Sequence, residues 1–146
     1  MEHVWSALAQ QAITSQETKM VSLIDLLEEI NFVPMPGQKR PKGPIGLPIK
    51  MALVTRWTRS NPEKPEEGRA RIEVRDPRGK LIEKESVIEY NVNLTEFINF
   101  RATTNFGSFP FTVNGIYRVI VQMQREDKWK TVASVPIQVK ETEQIP

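Results

Sequence analysis

The stretch Met20-Val-Ser-Leu-Ile-Asp-Leu-Leu-Glu-Glu-Ile-Asn-Phe32 admits two readings, and the fold turns on the choice between them. Met20, Leu23, Ile24, Leu27 and Ile30 fall at offsets 0, 3, 4, 7 and 10, the spacing of an apolar helix stripe, with Ser22, Asp25, Glu28 and Glu29 opposite. Upstream, Trp5, Leu8, Ala9, Ala12 and Ile13 repeat that spacing. Residues 4–30 can therefore be drawn as two antiparallel helices joined by Thr14-Ser-Gln-Glu-Thr18. As strands the two segments pattern less cleanly, because Asp25 and Glu29 interrupt one face while Ser22 and Glu28 interrupt the other.

The rest of the chain reads as β. Ile49, Met51, Leu53, Thr55 and Trp57 alternate along one face of a strand, and Ala70, Ile72 and Val74 alternate with Arg71, Glu73 and Arg75 in another. Asp76-Pro-Arg-Gly79 supplies a turn, after which the chain is expected to return through Lys80 to Val87. The run from Tyr90 to Phe100 keeps no single period and predicts a bulged strand or two short pieces. Ile116–Met123, following Asn114-Gly115, reverses at Arg125-Glu-Asp-Lys128 into an alternation through Trp129, Thr131, Ala133, Val135, Ile137 and Val139. Pro136 points to an edge or a bulge there. Eight Pro and Gly residues between Pro34 and Pro48 exclude a helix and most strand pairing, giving a long loop at 33–48. A second polar break, Ser60–Gly68, joins two strands.

The run from Ala9 through Ser15 and Met20 to Ile30, followed by Asn31-Phe-Val-Pro34, resembles the N-terminal part of a family of small bacterial proteins of unknown function. In that pattern an apolar strand, a polar turn and a Ser-Leu-Ile strand lead to a Glu-Ile ending before a Phe-Pro segment. The likeness continues through Asp76-Pro-Arg-Gly79 and Asn114-Gly-Ile-Tyr117. It implies an immunoglobulin-like sandwich with no assigned activity and no catalytic residues to carry over. With the β-rich surroundings, it favours strands over helices: an all-β sandwich of about seven strands in a single domain, 1–146. The alternative is an α+β fold with the helical hairpin packed on a five-stranded antiparallel sheet.

Composition narrows the chemistry. The 146 residues suit one core, and no apolar run approaches the roughly 18 residues of a membrane span. The N-terminus lacks the basic and apolar regions of a secretory signal, so a cytoplasmic location is expected. With no cysteine there is no disulfide, thiol nucleophile or thiolate metal site. A formal charge of +2 gathers neither nucleic acid nor anionic lipid by its field alone. His3, the single histidine, reads as a solvated terminal residue. Glu28-Glu29, Glu66-Glu67 and Glu83 with Glu85 read as solvating carboxylates rather than an acid–base pair or cation site. No nucleophile–base pairing, metal spacing or phosphate loop appears, so no catalytic residue, metal or cofactor is expected.

Two segments remain as candidate contact surface. Thr103–Phe111 carries Phe106, Phe109 and Phe111 in an irregular, glycine-containing run; these rings serve as core plugs or, if exposed, as contacts. Gly37–Gly43 concentrates Lys39, Arg40 and Lys42, which with Arg56, Trp57 and Arg59 resembles a single-strand nucleic-acid groove less than it resembles an ordinary soluble loop. The leading expectation is a non-enzymatic protein-interaction or assembly module that binds another protein or itself through sheet edges and loops. The alternative is a glycan- or small-ligand-binding domain using the aromatic loop at 103–111.

Overall fold

The computed structural model describes residues 1–34, 36, 37, 39, 41–83 and 87–143. Among them no helix forms. Eleven strands do: β1 (Glu2–Thr14), β2 (Val21–Leu26), β3 (Glu29–Phe32), β4 (Ile45–Leu47), β5 (Met51–Thr58), β6 (Glu66–Arg75), β7 (Ile88–Leu94), β8 (Asn99–Phe106), β9 (Phe109–Phe111), β10 (Gly115–Arg125) and β11 (Lys128–Glu141). Nine of them make two facing sheets, ordered β2-β1-β5-β8 and β3-β11-β10-β6-β7, while β4 and β9 pair separately. The chain is an immunoglobulin-like β-sandwich, and the helical hairpin has no place in it.

The helical spacing of 20–32 arises because this run serves both sheets. Val21–Leu26 joins the four-stranded sheet beside β1, and Glu29–Phe32 joins the other, parallel to β11. Leu27 and Glu28 carry the chain across: the Leu27 amide donates to Leu8 O at 2.9 Å, and Glu28 O accepts from the Gln138 amide at 3.0 Å. Of the five stripe residues only Ile30 is buried, whereas Met20 and Ile24 are 69% and 40% exposed. The strand count exceeds seven because the 20–32 run and the Tyr90–Phe100 run each supply two strands and because β4 and β9 form a separate pair.

The core lies between the sheets and centres on Trp57, Tyr117, Phe109, Phe111, Leu53 and Ile72, each less than 2% exposed. Full burial of such a side chain contributes about 1.5–3 kcal/mol. Tyr117 opens β10 and ties down the preceding corner. Its hydroxyl accepts from the Thr112 and Val113 amides at 2.8 and 3.0 Å and donates to Val113 O at 2.7 Å. This is the tyrosine corner of immunoglobulin-like sandwiches. A second buried network joins the sheets: Thr55 Oγ1 and Tyr90 Oη share a 2.8 Å hydrogen bond, and Trp57 Nε1 donates to both at 3.2 Å. Among the described residues no buried side-chain polar atom lacks a partner.

Several local expectations change. The Pro/Gly loop yields to β4 at Ile45, which pairs with Phe111. The Asp76 turn forms, with Gly79 at φ 81° and both the Arg78 and Lys80 amides donating to the Asp76 carboxylate, but among the described residues a bridge from Arg75 to Leu81 replaces the expected return strand. Glu85 lies outside the described residues. The Tyr90–Phe100 run becomes two pieces, β7 and β8, in different sheets. The register with β10 shifts at Val132, breaking the alternation of β11. Pro136 sits just before β3 begins to pair at Gln138, on a locally open edge.

Candidate interaction surface

Beyond Ala9, β1 leaves β5 and continues with β2 as a two-stranded ribbon. Its tip, residues 15–20, is tightened by the Ser15 amide on Met20 O and the Lys19 amide on Ser15 O, both 2.9 Å, with Lys19 at φ 59°. Arg101 on β8 donates from Nη2 to Lys19 O at 2.9 Å. Because β5 stands between β1 and β8, the ribbon reaches that arginine by crossing the outward face of β5. The crossing accounts for β5 being buried on both faces. Met51, Leu53 and Trp57 point inward, yet the alternate residues Ala52 and Val54 are only 1% and 0% exposed.

Four of the ribbon's apolar side chains are left in solvent. Ile13, Met20, Ile24 and Leu26 are 40–69% exposed on this one appended element, and β2 is the outermost strand of its sheet. Under the ribbon lies a cleft of about 950 Å³, walled by Gln10, Gln11 and Ile24 on one side and by Lys50, Asn105 and Phe106 on the other. Aliphatic side chains including Ile49 and Met51, one ring and three amides line it, with Asp25 and Lys50 as its two charges. Among the described residues no group of three or more His, Asp or Glu stands close enough to hold a metal ion.

Phe106 is half-buried at the cleft wall, but Phe109 and Phe111 are 1% exposed and removed from any contact surface. Pairing of β9 with β4 turns both inward, where Phe109 meets Tyr117 and Phe111 meets Phe32 edge to face, with ring centroids 5.3 and 4.8 Å apart. Lys39 and Lys42 are exposed in the loop, Arg40 lies outside the described residues, and the cation lining the cleft is Lys50. Arg59 binds three backbone carbonyls, of Leu94, Pro62 and Thr95, and so closes the sandwich end. Trp57 is fully buried, Trp5 is half-buried, and Trp129 is half-buried beneath Arg71, whose guanidinium carbon stands 4.5 Å from the ring centroid.

His3 is not a loose terminal residue. It sits in β1, edge-on to Trp57 at 5.2 Å with Nε2 2.7 Å from Ser6 Oγ, and burial holds its imidazole below the ordinary value despite a backbone hydrogen bond at Trp5. Glu66 pairs with the Met1 amine, and Glu29 accepts from Asn31 at 3.0 Å.

No family model, curated protein or solved structure matches the chain. The ribbon residues and the Arg101 latch escaped the sequence reading. Their signal was the adjacent apolar run Ala7-Leu-Ala9, which does not alternate because both faces of β1 are covered there.

Proposed function

We propose that the chain is a non-enzymatic protein-interaction module that engages its partner through the ribbon and the open strand edges of the four-stranded sheet. One observation carries this reading: four large aliphatic side chains, Ile13, Met20, Ile24 and Leu26, are left exposed on an element that adds little to the core. Scattered surface aliphatics are ordinary, but a group of them on one projecting ribbon at the margin of a sheet marks a surface for another protein to cover. A cytoplasmic location and the absence of a catalytic step belong to the same proposal.

The test compares wild type with Ile24→Asp/Leu26→Asp, which changes exposed positions and leaves the circular dichroism spectrum unaltered. Wild type immobilised on beads retains a host protein that the double variant loses by at least tenfold. Equal retention by both proteins, or no retention by wild type, sinks the proposal.

A further inference from the structure

We infer that a second copy of this chain pairs with the outer edge of β8, antiparallel and about a two-fold axis through Thr103; this rests on the interaction-module reading and names its partner. The inference begins with how the other edges are closed. β2 contains Asp25 at φ 53°, which bends it out of regular strand geometry, and β3 is four residues long. The open first half of β11 carries Lys128, Lys130, the shift at Val132 and Pro136. At the end of β7, Arg59 Nε already occupies Leu94 O at 2.7 Å. Short length, lysine, proline, bulges and capping are the usual ways an edge is kept from pairing.

β8 has none of them. It is eight residues long, contains no Lys, Pro or Gly, has no residue at positive φ, and keeps an unbroken register with β5 from Met51 opposite Phe106 to Thr58 opposite Asn99. It is also the outermost strand of its sheet.

Its sequence then matches itself. Two antiparallel copies related by an axis perpendicular to the sheet must place residues of the same face opposite one another, so the two residue numbers in each pair sum to an even number. With Thr103 on the axis, Phe100 meets Phe106 of the second copy, Arg101 meets its Asn105, Ala102 meets its Thr104, and Thr103 meets its Thr103. Ring faces ring and small residue faces small residue. The strand's one charge faces an amide that can accept from it, with no like charge opposed. Aromatic pairs and Thr–Thr pairs directly across an antiparallel ladder are favourable, whereas like charges there are not. Phe100 and Phe106 are only half-buried in the single chain, on the core-facing side of the sheet edge, and the pairing completes their cover. On β7 the core-facing Val92 and Leu94 are already fully buried and Ile88 and Tyr90 are half-buried, so β7 is set apart from β8 by the Arg59 cap at its Leu94 end. Seven paired residues fall at the small end of specific interfaces, below about 1,200 Å² of total buried surface, so the dimer is concentration-dependent.

The chain has no cysteine, which makes the decisive experiment clean. Residues opposed on the axis have Cα atoms about 4.5–5.5 Å apart, inside the range a disulfide spans. Under mild oxidation Thr103→Cys forms a disulfide dimer at least tenfold faster than Asn93→Cys, an exposed position on β7. In sedimentation equilibrium Thr103→Lys and Thr103→Glu are each monomeric at concentrations where wild type dimerises, and mixing the two restores a one-to-one dimer. Equal cross-linking of the two cysteine variants, or self-association unaffected by Thr103→Lys, overturns the inference. If the Ile24→Asp/Leu26→Asp protein loses self-association while Thr103→Lys keeps it, the β8 assignment falls and the interaction-module reading stands. The interaction-module reading falls separately, when the bead experiment retains no host protein or retains it equally on wild type and the ribbon variant.

Discussion

At the scale of single residues, buried polar groups do more to define this sandwich than its charges do. Tyr117 is the sharpest case, because its hydroxyl, on a fully buried side chain, satisfies two backbone amides and one carbonyl at a partly buried corner. Tyr117→Phe keeps the ring and removes the hydroxyl to which the Thr112 and Val113 amides donate, at a cost of about 1–3 kcal/mol. Urea denaturation checks it: the midpoint falls while the slope with denaturant stays at the wild-type value, since the surface exposed on unfolding is unchanged. A midpoint within error of wild type contradicts the role given to the hydroxyl. The corner was readable in outline, since a tyrosine two residues after Asn114-Gly115 opens the most regular strand in the sequence. What the sequence did not disclose is the target of the hydroxyl, which depends on how 112–114 folds back.

Among the elements, the β10–β11 hairpin is the most legible, and its turn is the least comfortable. Glu126 and Asp127 both occupy the left-handed region, at φ 47° and 62°, as a two-residue type I′ turn requires. Neither is the residue that conformation prefers, and a side chain bearing a Cβ pays roughly 1–2 kcal/mol there, less for Asp than for Glu. Glu126→Asn with Asp127→Gly therefore stabilises the protein by on the order of 1 kcal/mol, seen as a higher thermal midpoint with the same fold. An unchanged or lower midpoint means that the two carboxylates contribute something the backbone geometry does not show. The strands that defeated simple periodicity share one cause: each is covered on both sides or divided between sheets. β5 has Ala52 and Val54 under the ribbon, β1 has Leu8 and Ala9 buried on opposite faces, and the 20–32 run changes sheets at Leu27. A period of two marks one buried face, so it fades where both faces are buried or where the chain crosses over.

For the whole molecule, the fold class was accessible from the C-terminal two-thirds, while the proposed interaction surface was not, because exposure of Ile13, Ile24 and Leu26 depends on where the ribbon lies rather than on residue type. The same burial sets how the molecule responds to pH. Burial holds His3 below its ordinary 6.5, so between that value and its folded pKa the unfolded chain binds a proton that the native state does not, and stability falls as pH drops. Burial would raise the carboxyl of Asp76, but the Lys80 amide, the Arg78 guanidinium and the Arg78 amide outweigh it and hold the group below 3.8. Its contribution is present above 3.8 and is lost as pH falls through the depressed folded value. Tyr90 is shifted the other way: burial raises it above 10.0, only partly countered by its hydrogen bonds to Thr55 and Trp57. The unfolded chain then loses its proton first, and stability falls as pH rises past 10. For these three side chains together, the contribution to stability is greatest between about pH 7 and 10, with two acid steps and one alkaline step. Thermal midpoints followed across pH test this, because each variant removes one step alone: His3→Gln flattens the decline just below 6.5, Asp76→Asn the one below 3.8, and Tyr90→Phe the one above 10. A wild-type curve still rising toward lower pH at 6, or a Tyr90→Phe curve with the alkaline decline intact, assigns these steps to other groups.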